Sequence, residues 1–337
     1  MMMHAKTPSR TLIAAISLLV VAVAASGQIV PERLYYGVDR AIPMTVVVPD
    51  GMNGEARLDL FGAPKFPARD PIASAEVAPG RVDLAQFFPM LWDTPQKSNP
   101  KLMYAQLVIG DTEVGPPIVI QPLATPSYAR TTAGNRPPSF SRQAMVFSGY
   151  RIYQEKLVVL DTTQGEIVIR MRPDHAPNSA WNFMHLVEGG FYTDILFHRI
   201  IGPGTGDTGF VVQVGDPTAL GSGGPGYMID LEDSKLLHDR GVLSMARAAD
   251  PNSNGSQVFI CLSRMRTQGL DGSYTAFGET IEGDATIAAI GDARTVPPAD
   301  RPENEDAYRL ISARLIDAEP MRSVRAPISV PSDNSGR

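Results

Sequence analysis

Apolar runs in this chain rarely last more than seven residues before Gly, Pro, Asn or Asp interrupts them, and only one stretch has the spacing of a long amphipathic helix. The 30 glycines and 29 prolines among 337 residues supply much of that punctuation. Runs of this length suit strands rather than helices of ten or more residues, so the chain reads as mainly β. Its length corresponds to about two domains. With 43% hydrophobic and 20% charged residues the composition is that of a globular protein, which excludes disorder throughout. A net charge of -6 argues against a nucleic-acid binder. Cys261 stands alone, so no internal disulfide and no cysteine zinc site forms.

The chain begins with a targeting pattern. Lys6 and Arg10 precede an apolar run, Leu12 to Ala25, and small residues around Ala22-Val23-Ala24 follow the form of a cleavage site. The run falls short of the roughly 20 residues that span a bilayer. Residues 1–27 therefore read as a signal peptide, with an uncleaved anchor as the rival. The expectation is an exported protein, periplasmic or extracellular, with no stable membrane span after cleavage.

Residues 28–123 carry short candidate strands at Met44–Val48, Ala56–Phe61, Leu102–Ile109 and Ile118–Gln121. Ala56, Leu58 and Leu60 alternate with Arg57, Asp59 and Phe61, which predicts a sheet with one buried face. This region reads as a β-sandwich of immunoglobulin-like size without chemistry of its own. Trp92 and Phe87-Phe88 read as core rather than as an exposed recognition patch. Residues 124–150, rich in Pro, Ser, Thr and Arg, read as a linker, and 318–337 as a flexible tail.

Between linker and tail, Leu157–Leu160 and Glu166–Met171 flank turn residues and predict a hairpin. Pro177 opens the one helix, whose Ala180, Phe183, Met184 and Val187 form a single apolar stripe ended by Gly189-Gly190. Strand-like segments return at Ile195–Ile201, Phe210–Val214, Gly241–Ala246 and Gln257–Leu262. One helix among many strands suggests a closed barrel capped by helices.

The wording of those segments then matters. Phe197-His198-Arg199-Ile200-Ile201, Phe210-Val211-Val212-Gln213 with Gly215-Asp216, and Leu243-Ser244-Met245-Ala246-Arg247 follow in order. Asn254-Gly255-Ser256-Gln257-Val258-Phe259-Ile260 and Leu270-Asp271-Gly272 before Phe277-Gly278 complete the series. Over about residues 155–317 the chain resembles the cyclophilin family of peptidyl-prolyl isomerases. That resemblance implies an eight-stranded antiparallel β-barrel capped by two helices for 151–317. It implies rotation of X–Pro peptide bonds in exported or unfolded chains, with proline-containing polypeptides as substrates. Rotation makes and breaks no bond, so neither cofactor nor metal is called for.

By the same resemblance Arg199 faces the prolyl nitrogen and carbonyl, and Gln213 bonds the substrate backbone. Phe210, Val211, Phe259 and Leu270 grip the pyrrolidine ring. Ala246, Arg247 and Gln257 line a groove for residues before proline, His198 sits beside Arg199, and Tyr274 stands where the family has a pocket histidine. The catalytic group is thus Arg199, Gln213, Phe210 and Phe259. The rival function is a non-catalytic proline-peptide or assembly module using the same groove, and the N-terminal region is open to an unknown protein partner.

Departures from the family wording are local. Eight residues, Gly202–Gly209, separate Ile201 from Phe210 where two are usual, which predicts a flexible rim loop. Gly269 stands where many members carry Trp, and this predicts weak binding of cyclosporin, the family's usual inhibitor. Gly204-x-Gly206-x-x-Gly209 spells a dinucleotide fingerprint but precedes a strand, not the helix that fingerprint needs. His175, His185 and His238 lack ligand spacing. Cys261 reads as a buried small residue, and the sequon at Asn254 as structural.

Overall fold

The computed structural model describes residues 28–63, 70–132, 136–141, 144–203, 208–297 and 300–329. The signal-peptide reading of 1–27 lies outside them, as do Gly204 and Gly206 of the rim loop.

The predicted hairpin forms from Lys156–Thr162 and Gly165–Met171, paired Leu157 to Arg170 through Thr162 to Gly165. It sits inside a nine-strand antiparallel sheet. The edge strands of that sheet are Ile195–Leu196 and Arg199–Ile201, which are two halves of one segment parted by Phe197-His198. Ile195–Leu196 pairs with Arg309–Asp317, and Arg199–Ile201 with Val211–Val214. The sheet therefore closes on itself, and counting 195–201 as one strand gives an eight-stranded barrel. The interruption leaves both sides of the seam hydrogen-bonded, with the Phe197 N–H donating to the Tyr308 carbonyl.

Pro177–Glu188 is the predicted helix, with Pro at its first turn and Gly189 as its C-cap. Its apolar stripe packs against the barrel interior together with Ile287 and Ile290 of a second helix, Asp284–Gly291. Phe183 meets Phe277 edge-on, with centroids 5.5 Å apart. The interior itself is filled by alternate residues of the strands, among them Ile167, Ile169, Ile200, Val212, Val214, Leu243, Met245, Val258 and Ile260.

Ahead of the barrel lie a three-stranded antiparallel sheet (Gln28–Pro31, Pro43–Val47, Gly80–Asp83) and a six-stranded one. The six run Tyr35–Gly37, Phe147–Gln154, Thr112–Ala124, Met103–Ile109, Ala56–Gly62, Ala73–Glu76. Ile29, Met44 and Val46 from the first pack with Leu58, Leu60, Leu107, Ile118, Ile120 and Ile152 from the second. Phe88 belongs to this core, and Trp92 packs at a tilt against Phe147 and Tyr150, so these aromatics are packing residues.

Three expectations are corrected. The strand Phe147–Gln154 pairs with Thr112–Ala124, so 147–150 belong to this sheet and not to a linker, and the barrel chain starts after Glu155, not at 151. Ahead of it Tyr128–Arg130 pairs with Ser139–Ser141, and Ala129 is buried. The tail is not loose over 318–329. Met321 is buried against Phe61, Leu102, Tyr104 and Val119, its N–H donates to Gln106 Oε1, and the Ile328 N–H donates to the Thr280 carbonyl. For the same reason the sheet carrying Ala56–Gly62 has two buried faces. Phe61 is covered by this returning segment, while Asp59 is buried with Arg57 and Ser74 as its partners.

Candidate functional site

A strand's side chains alternate between its two faces, and here the alternation builds the site. In Arg199–Ile201, Val211–Val214 and Val258–Cys261, the residues Ile200, Val212, Val214, Val258 and Ile260 point into the barrel. Their neighbours Arg199, Val211, Gln213, Phe259 and Cys261 take the opposite face. The register then aligns them: Arg199 pairs with Gln213, Gln213 with Phe259, and Phe259 with Ser244. A row of four residues crosses four strands.

Arg199, Gln213 and Phe259 of that row floor a cleft of about 700 Å³. Its lining contains every residue singled out from the sequence except Gln257: His198, Arg199, Phe210, Val211, Gln213, Ala246, Arg247, Phe259, Leu270 and Tyr274. Phe259, only 4% exposed, packs with Val211, Ala246, Phe210, Leu270 and Tyr274 in a small apolar cluster separate from the barrel interior. Tyr274 stands edge-on to Phe259 with centroids 5.8 Å apart, and the Arg247 guanidinium lies 4.6 Å over the Tyr274 ring. Arg247 also donates to the Ser273 and Ala248 carbonyls, so it braces the wall. Gln257 lines an adjoining cavity of about 610 Å³ with Gly223–Met228 and Ala246–Ala248. It accepts from Gln213 Nε2 at 2.9 Å and donates to the Gly223 carbonyl.

His198 is 5% exposed, and burial holds its imidazole below the usual histidine range despite Asp216 nearby. Arg199 keeps 43% of its side chain exposed. The cleft thus sets a reachable cation beside an apolar slot.

The sequence reading missed the support beneath Phe259. His238 stacks on that ring at 6.0 Å, with Asp271 Oδ1 3.0 Å from its Nδ1 and Ser244 Oγ 2.9 Å from its Nε2. Burial lowers the His238 pKa against the pull of Asp271. Burial would raise the Asp271 carboxyl, but Arg264 and the His238 bonds outweigh it and hold it at about 2. Serine, histidine and aspartate in series resemble a nucleophile with its base and orienter. Ser244 is fully buried, however, so no substrate reaches it. The chain is a prop for the pocket wall. Also missed were Ala219, Leu220 and Gly221 on one rim and Asp300-Arg301 on another. The signal for the last pair was an Asp-Arg-Pro turn that carried no chemistry by itself.

The readings of Cys261 and Asn254 hold. Cys261 is buried, with its thiol pushed up by burial. Asn254 is buried and donates to the Ile229 and Pro251 carbonyls. Gly269 is exposed, and a Cβ there would meet nothing within 4 Å. The rim loop has constrained ends, because a Cβ on Gly202 would lie 1.8 Å from the Gly291 carbonyl oxygen.

Residues 157–312 match the family described as cyclophilin type peptidyl-prolyl cis-trans isomerase/CLD. The chain is 40% identical over 167 residues to peptidyl-prolyl cis-trans isomerase-like 1 of Gibberella zeae, spanning 48% of this chain and 96% of that one. It is 38% identical over 165 residues to an Arabidopsis thaliana peptidyl-prolyl cis-trans isomerase, spanning 48% and 93%. A crystal structure of a Cryptosporidium parvum cyclophilin type isomerase, determined in the presence of the dipeptide Ala-Pro, aligns with 31% identity and a TM-score of 0.43. That alignment covers 48% of this chain and 98% of the other.

Proposed function

Since this chain belongs to the cyclophilin-type peptidyl-prolyl cis-trans isomerases, we propose that its cleft seats the proline ring on Phe259 and turns the preceding amide beneath Arg199. The observation that carries this reading is the cross-strand row, which sets a reachable guanidinium two strands away from the buried aromatic.

Rotation about an X–Pro amide breaks resonance against a barrier of about 18–20 kcal/mol. The twisted amide nitrogen is pyramidal and basic, so a donor that bonds it better than the planar form lowers the barrier. Arg199 is that donor. A charged hydrogen bond contributes about 1.5–3 kcal/mol, whereas four decades of rate require about 5.5 kcal/mol. The remainder falls to a fixed ring and a held backbone. Phe210, Val211, Phe259 and Leu270 hold the ring, and Gln213, itself oriented by Gln257, holds the chain. Residues before the proline run toward Ala246, Arg247 and the adjoining cavity.

The substrates are X–Pro bonds of unfolded or newly exported chains, where slow isomerisation limits folding. The N-terminal sheets, read as an immunoglobulin-like sandwich, serve as a scaffold for a protein partner. Exported location rests on the leader pattern of residues 1–27.

The test is a proline-isomerisation assay on a short peptide. Arg199→Ala is expected to lower kcat/KM at least tenfold with folding unchanged by circular dichroism. Arg199→Lys does not restore it, because lysine lacks the planar fork. Wild-type rates in the folded alanine variant would sink the mechanism.

A further inference from the structure

Asp300 lines the cleft but belongs to none of the family wording quoted above. Its Oδ2 lies 3.8 Å from Arg199 Nε, and 46% of its side chain is exposed. Among the described residues it is the acidic one lining the cleft, where the other ionised groups are Arg199, Arg247 and Arg301. Arg247 is committed to the Ser273 and Ala248 carbonyls, and Arg301 to Glu305 and the Ala219 carbonyl. Asp300 and Arg199 therefore face each other while the remaining charges are already engaged.

The position is built, not incidental. The Asp300 carbonyl accepts from the Ile200 N–H at 2.8 Å, so its backbone is tied to the strand that carries Arg199. A two-stranded ribbon, Thr295–Val296 with Arg301–Pro302, holds it from one side, and the Arg301 bond to Ala219 from another. Its φ is 52°, a left-handed conformation that Asp and Asn tolerate better than most side chains.

We infer that Asp300 is a specificity-determining residue: it offsets the Arg199 charge and makes the cleft disfavour an acidic side chain in the residue after the proline. A substrate carboxylate reaching this side meets a like charge and competes with Asp300 for the guanidinium. Without Asp300, Arg199 would trap such a carboxylate as an ion pair and hold the substrate in an unproductive ground state. The side is inferred from the lining of the adjoining cavity. The adjoining cavity assigned to residues before the proline does not include Asp300. This inference rests on the isomerase reading, which puts substrate in this cleft.

The test uses the full chain and peptides with Ala, Lys or Glu after the proline, plus one with Glu before it. Turnover is followed by isomerisation assay and Kd by isothermal titration, so charge discrimination is read even without turnover. Wild-type turnover of the neutral peptide tests the isomerase reading separately. Asp300→Asn is the main variant and Asp300→Gly the second, since both residues accept φ near 52°. In both, the Kd ratio of the Glu to the Lys peptide is expected to shift toward Glu by about threefold or more, as expected for one charge removed at a partly exposed site. That shift should shrink in about 0.5 M salt, where the Debye length falls to a few ångströms. A ratio unchanged within about twofold would overturn the inference, as would a salt-independent shift or one confined to the peptide with Glu before the proline.

Discussion

The two faces of the wall formed by Arg199–Ile201, Val211–Val214 and Val258–Cys261 share one backbone and one set of hydrogen bonds, yet they follow different rules. The inner face is wholly apolar and closed, and each residue there is replaceable by anything of like shape and volume. The outer face mixes Arg199 and Gln213 with Phe259 and Val211, and its residues are tied to a chemical task by cross-strand alignment. Stability belongs to the even-numbered face and chemistry to the odd-numbered one. A single residue slip of register would exchange them and destroy both.

The largest effect expected from breaking this comparison is on the inner face. Ile260→Ala should cost about 2–5 kcal/mol in urea unfolding, because it empties volume at a fully buried site. The residual folded fraction should keep its kcat/KM. Next comes the outer face, where Arg199→Ala should do the reverse, losing at least tenfold in turnover while the urea midpoint moves little. A third change sharpens the contrast from the rim. Gly269→Trp enters open space at a turn without a left-handed backbone, so it should fold normally. It restores an indole wall and donor, and should tighten cyclosporin inhibition several-fold; an unchanged inhibition constant would show that the indole does not reach the cleft.

The smallest effect separates the faces by pH. His175, His198 and His238 all have pKa values lowered by burial. In the unfolded chain they take up protons near pH 6.5, so the unfolded state binds more protons below that point. Stability is complete above about pH 6.5 and declines as pH falls through the depressed folded values. Turnover should stay nearly flat from about pH 6 to 9, since the guanidinium remains charged throughout. Urea curves at pH 7.5 and 5.5 measure the first, and rate profiles the second. A turnover titration near pH 6.5 would instead bring His198 into the chemistry.

The N-terminal sheets were harder to read than the barrel. Their strands at 56–62 and 103–109 were evident from β-branched and alternating residues. The strands at 28–31, 35–37, 73–76 and 80–83 are three or four residues long and carry no periodicity to find. Asp59 looked like a solvent-facing residue by alternation, and it is buried because Arg57 and Ser74 satisfy its Oδ1. Met321 looked like part of a tail, since nothing near it in sequence reports that Phe61 and Tyr104 need a cover.

What the sequence determined by itself was local: the period-two alternation of the barrel strands, the helix from Pro177 to its glycine stop, and the ordered motif wording that places Arg199, Gln213 and Phe259. Alternation and turn chemistry are properties of neighbours along the chain, so they survive in the sequence alone. Tertiary structure decided the rest. It set the register that brings Arg199, Gln213, Phe259 and Ser244 into one row. It closed the barrel at Phe197-His198, propped Phe259 on His238, laid Met321 across the outer sheet, and set Asp300 against Arg199. Each of these joins residues whose separation in the chain leaves no pattern to read, because packing and hydrogen bonding reward proximity in space and are indifferent to order in sequence.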